Sequence, residues 1–293
     1  MTYATIRYEV EPDGLLLLTL ARPKKLNAFT VQMCEELVEA YGRASLDDEV
    51  RAIIVTGEGQ AFCAGMDLSV GGNVFGLDEN QSPTLEELRA TLDDPAILRG
   101  VRDTGGRVAL AMYDCLKPIV GAVNGAAVGI GSTMLLPMDF RLASATARFG
   151  FVFGKLGITL EACSSWFLPR IVGLEQALEW SYRANIFGAE EALAKGLVRA
   201  VHPAEALLDE ARAFARALVV DRSPVSIALT RQMLLRNAAQ PHPLEAHLVE
   251  TLAVLHTSQA DGREGVQAFL EKRAPRFSGT ASEMPPFFPW WSR

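Results

Sequence analysis

Histidine and cysteine are scarce in this sequence, and neither is grouped. The 293 residues include four cysteines and four histidines. No two cysteines form a C-x-x-C pair, and the histidines lack the spacing of a metal-binding motif. The N-terminal residues MTYATIRYEV contain no basic segment followed by an apolar stretch, so no secretory signal is expected. We therefore expect isolated, reduced, buried thiols in a cytoplasmic protein without a metal site.

Long runs of positive charge are also missing. The net charge is −7 and no run of lysine or arginine exceeds a pair, which excludes the basic patch typical of nucleic-acid binding. One apolar stretch, residues 118–138, has the length of a membrane span. However, Asn124 lies near its middle, and Pro118 and Pro137 bracket it. A buried strand followed by a buried helix accounts for this stretch, so we expect no membrane partner.

Short apolar strands alternate with helical patterns in the first part of the chain, which is typical of an α/β fold. The sequence predicts strands within residues 6–10, 15–20, 51–57, 118–123, 139–144 and 147–151. Segment 69–106 is rich in glycine and acidic residues and predicts a mobile insertion with one short helix. Helical spacing dominates after Phe167. We divide the chain into an α/β core (1–200), a helical region (201–277) and a proline- and aromatic-rich tail (278–293) without regular structure.

Two stretches place small residues directly after a predicted strand. They read AIIVTGEGQAFCAGMDL and PIVGAVNGAAVGIGSTM. In each, a glycine-containing turn before a predicted helix leaves backbone N–H groups free to bind an anion. The pattern G-x-x-x-x-G-K-[ST] is missing, so a nucleotide P-loop is not indicated. Two such turns favour an oxyanion hole, in which paired N–H donors stabilise one developing negative charge.

Five segments, in this order, resemble the crotonase (enoyl-CoA hydratase/isomerase) superfamily: RPKKLNA, FCAGMDL, VNGAAVGIGSTMLLPMD, EACSSWFLPRIVG and AFLEKRAPRF. The resemblance covers about residues 5–277. It implies a spiral of β-β-α units with a C-terminal helical region that assembles a homotrimer or a dimer of trimers. It also implies an acyl-CoA thioester substrate, with coenzyme A as part of the substrate and no separate cofactor.

The resemblance also assigns roles to individual residues. The backbone N–H groups of Met66 and Ile130 would hold the thioester enolate. Substrate contacts are implied for Gly65, Gly129, Gly131 and Trp166, and coenzyme A contacts for Lys24, Lys25, Cys63, Ala64, Phe269 and Lys272. Asp67 is expected to cap a helix, and Asp139 to be structural.

The resemblance points to the acid–base residue through three positions. Hydratases of this superfamily carry two glutamates, and the matching positions here are Thr133 and Phe153. Glu161 matches the position of the catalytic carboxylate in the isomerases, so we expect double-bond isomerisation with Glu161 as proton shuttle. Burial near Trp166 and Phe153 is expected to raise its pKa. The sequence leaves open whether a carboxylate of segment 69–106 joins the site.

Other readings stay open at this point. Glu161 is also suited to a helix N-terminus, where the helix dipole stabilises negative charge. The same scaffold supports water addition to a 2-enoyl-CoA, acyl-CoA hydrolysis or C–C bond chemistry. A non-catalytic acyl-CoA-binding homologue is a further alternative, because both hydratase glutamates are missing.

Overall fold

The strands form two sheets in a computed structural model that describes residues 3–69, 71 and 73–291. The strands are β1 (Ile6–Val10), β2 (Leu15–Leu20), β3 (Ala52–Gly57), β4 (Ala61–Cys63), β5 (Ile119–Val123), β6 (Ala126–Val128), β7 (Phe140–Ser144), β8 (Arg148–Gly150), β9 (Phe187–Gly188) and β10 (Ala200–His202). The larger sheet has the order β1-β2-β3-β5-β7-β10 and the smaller one β4-β6-β8-β9. Neighbouring strands are parallel except at one edge of each sheet. There β1 pairs antiparallel with β2, and β9 pairs antiparallel with β8.

Helices cover these sheets and form the C-terminal part of the chain. The α-helices are α1 (Val31–Leu46), α2 (Leu85–Ala90), α3 (Pro95–Gly100), α4 (Thr104–Asp114), α5 (Ile130–Thr133), α6 (Ser164–Val172), α7 (Leu174–Arg183), α8 (Ala189–Ala194), α9 (Leu207–Val219), α10 (Pro224–Asn237), α11 (Pro243–Gln259) and α12 (Asp261–Glu271). Short 3₁₀ helices span Pro23–Lys25 and Val152–Leu156. The predicted α/β fold with a helical C-terminal region is confirmed.

The larger sheet is buried on both faces, which explains why β2 reads as the nearly continuous apolar run LLLLTL. Leu16 and Leu18 point into a core shared with α1, α4 and the smaller sheet. Leu15 points the other way, against Ala211 and Ala215 of α9. Side chains alternate along a strand, so one strand contributes to two separate cores.

Consecutive strands cross from the larger sheet to the smaller one, as a spiral of β-β-α units requires. The pairs β3–β4, β5–β6 and β7–β8 each place their first strand in the larger sheet and their second in the smaller. The apolar stretch 118–138 therefore consists of β5, β6 and the short helix α5. In the described stretches, no helix combines the length and apolar composition needed to cross a bilayer.

Segment 69–106 contains more regular structure than the sequence predicts. Besides α2 in the predicted place, it holds α3 and the first turn of α4. Asp103 caps α4 by accepting the Gly106 N–H. The expectation of a flanking insertion is wrong for the end of the segment, since Thr104, Gly105 and Gly106 are buried.

The tail 278–291 contains no helix or strand but packs closely on the helical region. Ala281 and Phe288 contact Leu116 and Ala228. The Ser282 backbone N–H donates to Asp48 at 3.1 Å. Because the tail touches both the core and α10, it fastens the helical region to the α/β core.

A buried arginine makes the second attachment of α10. The Arg231 Nε donates to Asp139 Oδ2 at 2.9 Å, and its other nitrogens donate to the carbonyl oxygens of Met112, Tyr113 and Cys115 at 2.6–3.2 Å. Asp139 also accepts the Ile119 N–H at 2.8 Å, in agreement with its expected structural role.

Replacing Arg231→Met should destabilise the protein by about 3–5 kcal/mol, because it leaves a partly buried carboxylate and three carbonyl oxygens without their donor. Urea unfolding would measure the change. Arg183→Met is the control: this arginine on α7 is exposed, so we expect less than about 0.5 kcal/mol. Equal effects of the two substitutions would contradict the anchoring role.

Candidate active site

The pairing of β4 with β6 brings the two predicted turns together. The strands are parallel, with Cys63 opposite Ala127, so the residues after their carboxyl ends lie side by side. A Cβ added to Gly129 would lie 3.9 Å from the Cα of Gly65, and one added to Gly65 would lie 3.4 Å from the Val128 carbonyl oxygen. Met66 and Ile130 follow these two glycines directly.

Two glycines of the second turn are required for different reasons. Gly129 has φ +57° and ψ −123°, a conformation that side chains strongly disfavour. Gly131 lies against β4, where a Cβ would overlap the carbonyl oxygen of Cys63. Gly131 therefore keeps the two turns in contact, whereas the sequence assigned it to the approach of substrate.

The N–H groups of Met66 and Ile130 point to no protein acceptor in the described part of the chain. Their neighbours are paired: Asp67 N–H donates to the Phe29 carbonyl at 2.9 Å and Gly129 N–H to the Gly150 carbonyl at 2.8 Å. Free donors in adjacent turns are the arrangement an oxyanion hole needs.

The first turn differs from its prediction in one respect. Residues 64–69 form no helix, so the expected role of Asp67 as a helix cap is wrong. Its carboxylate instead accepts hydrogen bonds from Ser69 and forms an ion pair with Arg22 at 2.8 Å. These contacts lower the pKa of Asp67 below its ordinary value. They tie the turn to the loop before α1, because the Arg22 guanidinium also donates to the Ala28 carbonyl.

Glu161 lies beside the second turn, before the start of α6. Its Oε1 accepts a hydrogen bond from the Thr133 hydroxyl on α5. Its backbone carbonyl accepts the Ser164 N–H at 3.0 Å, so Glu161 is not inside the helix. Ala162 and Cys163 follow it with φ of +54° and +56°. Non-glycine residues rarely adopt this left-handed conformation, and such strain is common at functional sites.

The carboxyl group of Glu161 is held in a poorly solvated place. Burial raises its pKa from 4.5 to about 8, and the nearby Asp103 carboxylate adds to the rise, while the Thr133 hydroxyl opposes it. The direction agrees with the sequence prediction. Trp166 is 37% exposed, and its ring stacks on the Arg170 guanidinium at 3.5 Å.

Asp103 and Gly105 belong to this site, although the sequence did not single them out. A Cβ on Gly105 would overlap Glu161 Oε2 and lie 2.6 Å from Ile130 Cδ1. The missed sequence pattern is D-T-G-G: an N-cap aspartate followed by two glycines, which helices ordinarily disfavour. Of the carboxylates in segment 69–106, which the sequence left open, Asp103 lies next to Glu161.

The residues expected to bind coenzyme A fall into two groups. Lys24 and Lys25 are exposed beside the first turn, and the Lys25 Nζ lies 3.4 Å from Ser69 Oγ. Ala64 donates its N–H to the Leu26 carbonyl at 3.0 Å in the same place. Cys63 is buried, which raises the pKa of its thiol to about 12.

The second group lies on α12, which packs on α11. Phe269 is 83% exposed and Lys272, at the helix C-cap, is also exposed. Both side chains face solvent, and within the described residues the structure does not bring them to the two turns.

Comparison with known proteins agrees with this architecture. The family model for enoyl-CoA hydratase/isomerase matches residues 11–280. The enoyl-CoA hydratase ACTT3 of Alternaria alternata is 40% identical over 276 residues, covering 93% of this chain and 86% of the relative. The 1,2-epoxyphenylacetyl-CoA isomerase of Escherichia coli K12 is 33% identical over 268 residues, covering 91% and 95%.

A solved structure of similar fold is the enoyl-CoA hydratase of Bacillus anthracis, with a TM-score of 0.77, 26% identity and coverage of 96% of this chain and 100% of that one. The paired turns and the parallel sheets thus define an enzyme of the crotonase superfamily. The chain belongs to the enoyl-CoA hydratase/isomerase family. Hydratases and an isomerase both occur among its relatives.

Glu161→Gln should change how stability depends on pH. The folded protein holds the Glu161 proton up to about pH 8, whereas the unfolded chain releases it near pH 4.5. Between these values wild-type stability falls as pH rises, and above pH 8 the folded state holds Glu161 as a partly buried negative charge. Glutamine is neutral throughout. The variant should therefore melt at least about 2 °C above the wild type at pH 9 and equally below pH 4.5.

Calorimetric scans across this pH range would measure the difference. Glu49→Gln is the matched control, because Glu49 is exposed in the loop before β3. If the difference in melting temperature between the wild type and Glu161→Gln stayed constant with pH, it would contradict the raised pKa of Glu161.

Proposed function

We propose that this protein isomerises the double bond of an enoyl-CoA, with Glu161 as the single proton shuttle. The observation that carries the proposal is the position of Glu161: one partly buried carboxyl group, hydrogen-bonded to Thr133 and packed at Gly105 beside the Ile130 side chain. The two positions that match the glutamates of the superfamily's hydratases hold Thr133 and Phe153 here. Neither side chain can exchange a proton near neutral pH.

The reaction needs one base that returns the proton it removes. The Glu161 carboxylate takes a proton from C2 of a 3-enoyl-CoA, and the electron pair moves onto the thioester oxygen. The N–H groups of Met66 and Ile130 stabilise the resulting dienolate. Protonated Glu161 then delivers the proton to C4, and the double bond forms between C2 and C3. Substrate and product have the same mass.

The coenzyme A portion would lie along the first turn. Lys24 and Lys25 are exposed cations beside it, and each is suited to a phosphate as a point charge. Cys63 and Ala64 would provide backbone for the adenine. Because Phe269 and Lys272 face solvent, their expected contact with coenzyme A would come from a neighbouring copy of the chain.

Self-association into a homotrimer or a dimer of trimers fits the surface of the helical region. Helices α10, α11 and α12 leave large apolar side chains exposed, among them Leu234, Leu252, Phe269 and Leu270. Large apolar side chains left exposed on one group of helices support an interface there.

Water addition to a 2-enoyl-CoA is the second candidate, and one observation favours it. Asp103 supplies a second carboxyl group next to Glu161, so two acid–base groups are present despite Thr133 and Phe153. Relatives at 38–40% identity bear the name enoyl-CoA hydratase. Hydration would use one group to activate water and the other to protonate C2.

Glu161→Gln should lower kcat for 3-enoyl-CoA conversion by about 10²–10⁴, because glutamine cannot exchange the proton. Coenzyme A binding should persist, since the substitution leaves the exposed Lys24 and Lys25 unchanged. Mass spectrometry of wild-type products identifies the reaction: no mass change indicates isomerisation, and a gain of one water indicates hydration. Full activity in Glu161→Gln would overturn the assigned role, and a wild type that binds coenzyme A without turnover would indicate a binding protein.

Gly105→Ala should reduce kcat by about 10² or more while the fold is retained. The new methyl group would displace the flexible end of Glu161, and misplacement of a catalytic group by 1 Å is costly. Gly42→Ala in α1 is the matched control, because nothing lies within 4 Å of its added Cβ. Steady-state kinetics and circular dichroism would check both variants. Unchanged kinetics for Gly105→Ala would show that Glu161 need not occupy this place.

A further inference from the structure

The first turn of α4 and the loop around Glu161 are joined by one carboxyl group. Asp103 Oδ1 accepts the N–H of Gly106, which caps α4, and also the N–H of Ala162 at 3.3 Å. Ala162 follows Glu161 directly and has the strained φ of +54°. Asp103 thus holds the backbone next to Glu161 and the start of α4 at the same time.

The same residue also meets the side chain of Glu161. The carboxylate of Asp103 lies close enough to Glu161 to raise the pKa of Glu161, and Gly105 leaves room for Glu161 Oε2 against the helix. Two carboxyl groups can share a hydrogen bond only when one of them is protonated. Two adjacent negative charges repel, so a carboxylate at Asp103 favours the protonated form of Glu161.

We infer that Asp103 is a positioning residue whose carboxyl group shares a proton with Glu161 and fixes the Glu161 side chain against the first turn of α4. This inference rests on the proposed role of Glu161 and adds a second group that sets its protonation. No bond other than the shared O–H is broken or formed. The proton stays within the pair until Glu161 loses it to solvent and becomes the catalytic base. Asp103 is exposed, so it provides the route for that release.

Other titratable groups around Glu161 do not compete for this role. Cys63 at the end of β4 and Cys163 before α6 both interact with its charge, but burial raises the pKa of each thiol and keeps both neutral. On α5 the facing group is the Thr133 hydroxyl. Two cations lie in this neighbourhood: Arg102, which acts on Cys163 and Cys34, and Arg107 of α4, which acts on Cys34.

The substitution Asp103→Asn distinguishes the helix-capping role of Asp103 from the effect of its negative charge. Asparagine keeps the Oδ1 acceptor for the two N–H groups and is an equally good N-cap, but it cannot share a proton as a carboxylate does. We expect the rising limb of the kcat/KM profile against pH to move about one unit toward acid. Relative to its plateau, activity at pH 6.5 would then increase about tenfold.

Asp94→Asn is the matched control, because Asp94 caps α3 through the N–H groups of Ala96 and Ile97 in the same way. It should leave the midpoint unchanged. Asp103→Ser provides a second variant that retains a helix cap without a carboxylate, and it should shift the midpoint in the same direction. A uniform loss of activity with an unmoved midpoint would overturn the inference and leave Asp103 as a cap alone.

A readout without turnover distinguishes this inference from the proposed function. The melting-temperature difference between a protein and its Glu161→Gln form marks the titration of Glu161. Its midpoint should lie about one pH unit lower in the Asp103→Asn background than in wild type. If the wild type isomerises no enoyl-CoA but this midpoint still moves, the proposed function fails and the carboxyl pair stands. If the enzyme is active and the midpoint is the same in both backgrounds, the inferred coupling between Asp103 and Glu161 is overturned.

Discussion

The contact between β4 and β6 determines the geometry of the whole site. These two three-residue strands are parallel neighbours, so the turns that follow them must lie side by side. Gly131 permits this contact because any side chain would overlap the Cys63 carbonyl. The free N–H groups of Met66 and Ile130 lie next to each other only while this contact holds. The larger sheet supports this contact. Strands β3 and β5, which precede β4 and β6, lie in that sheet with both faces buried.

A second constraint is the crowding around Glu161. Three segments converge on its carboxyl group: the first turn of α4, the helix α5 and its own strained loop. Where hydratases of the superfamily carry a glutamate, Thr133 offers a hydroxyl that binds Glu161 instead of a carboxylate that would repel it. Under the proposed function, Thr133 therefore holds the acid–base residue Glu161 in place rather than acting as one itself. Function on this scaffold depends on such local exchanges more than on the fold.

The sequence predicted the features that leave a local pattern. Strands such as 15–20 and the glycine turn at 129–131 are visible because apolar runs and glycines are confined to few structural contexts. Asp67 was misread because its partner Arg22 is 45 residues away. Asp103 and Gly105 were missed for a similar reason: segment 69–106 looks like a surface insertion, and only the packing of α4 on α1 brings its end to Glu161. The roles assigned to Phe269 and Lys272 stay predictions, since a single chain leaves both exposed.

The choice between isomerisation and hydration is finally a question of protons. An isomerase needs one group that is base in the first half of the reaction and acid in the second, and a carboxyl group with a pKa of about 8 populates both forms near neutral pH. A hydratase needs a base and an acid at once. The inferred Asp103–Glu161 pair would supply both, but Asp103 already accepts the N–H groups of Gly106 and Ala162. A carboxylate committed to two backbone donors is a poor base toward water, and this commitment favours the single-shuttle reaction.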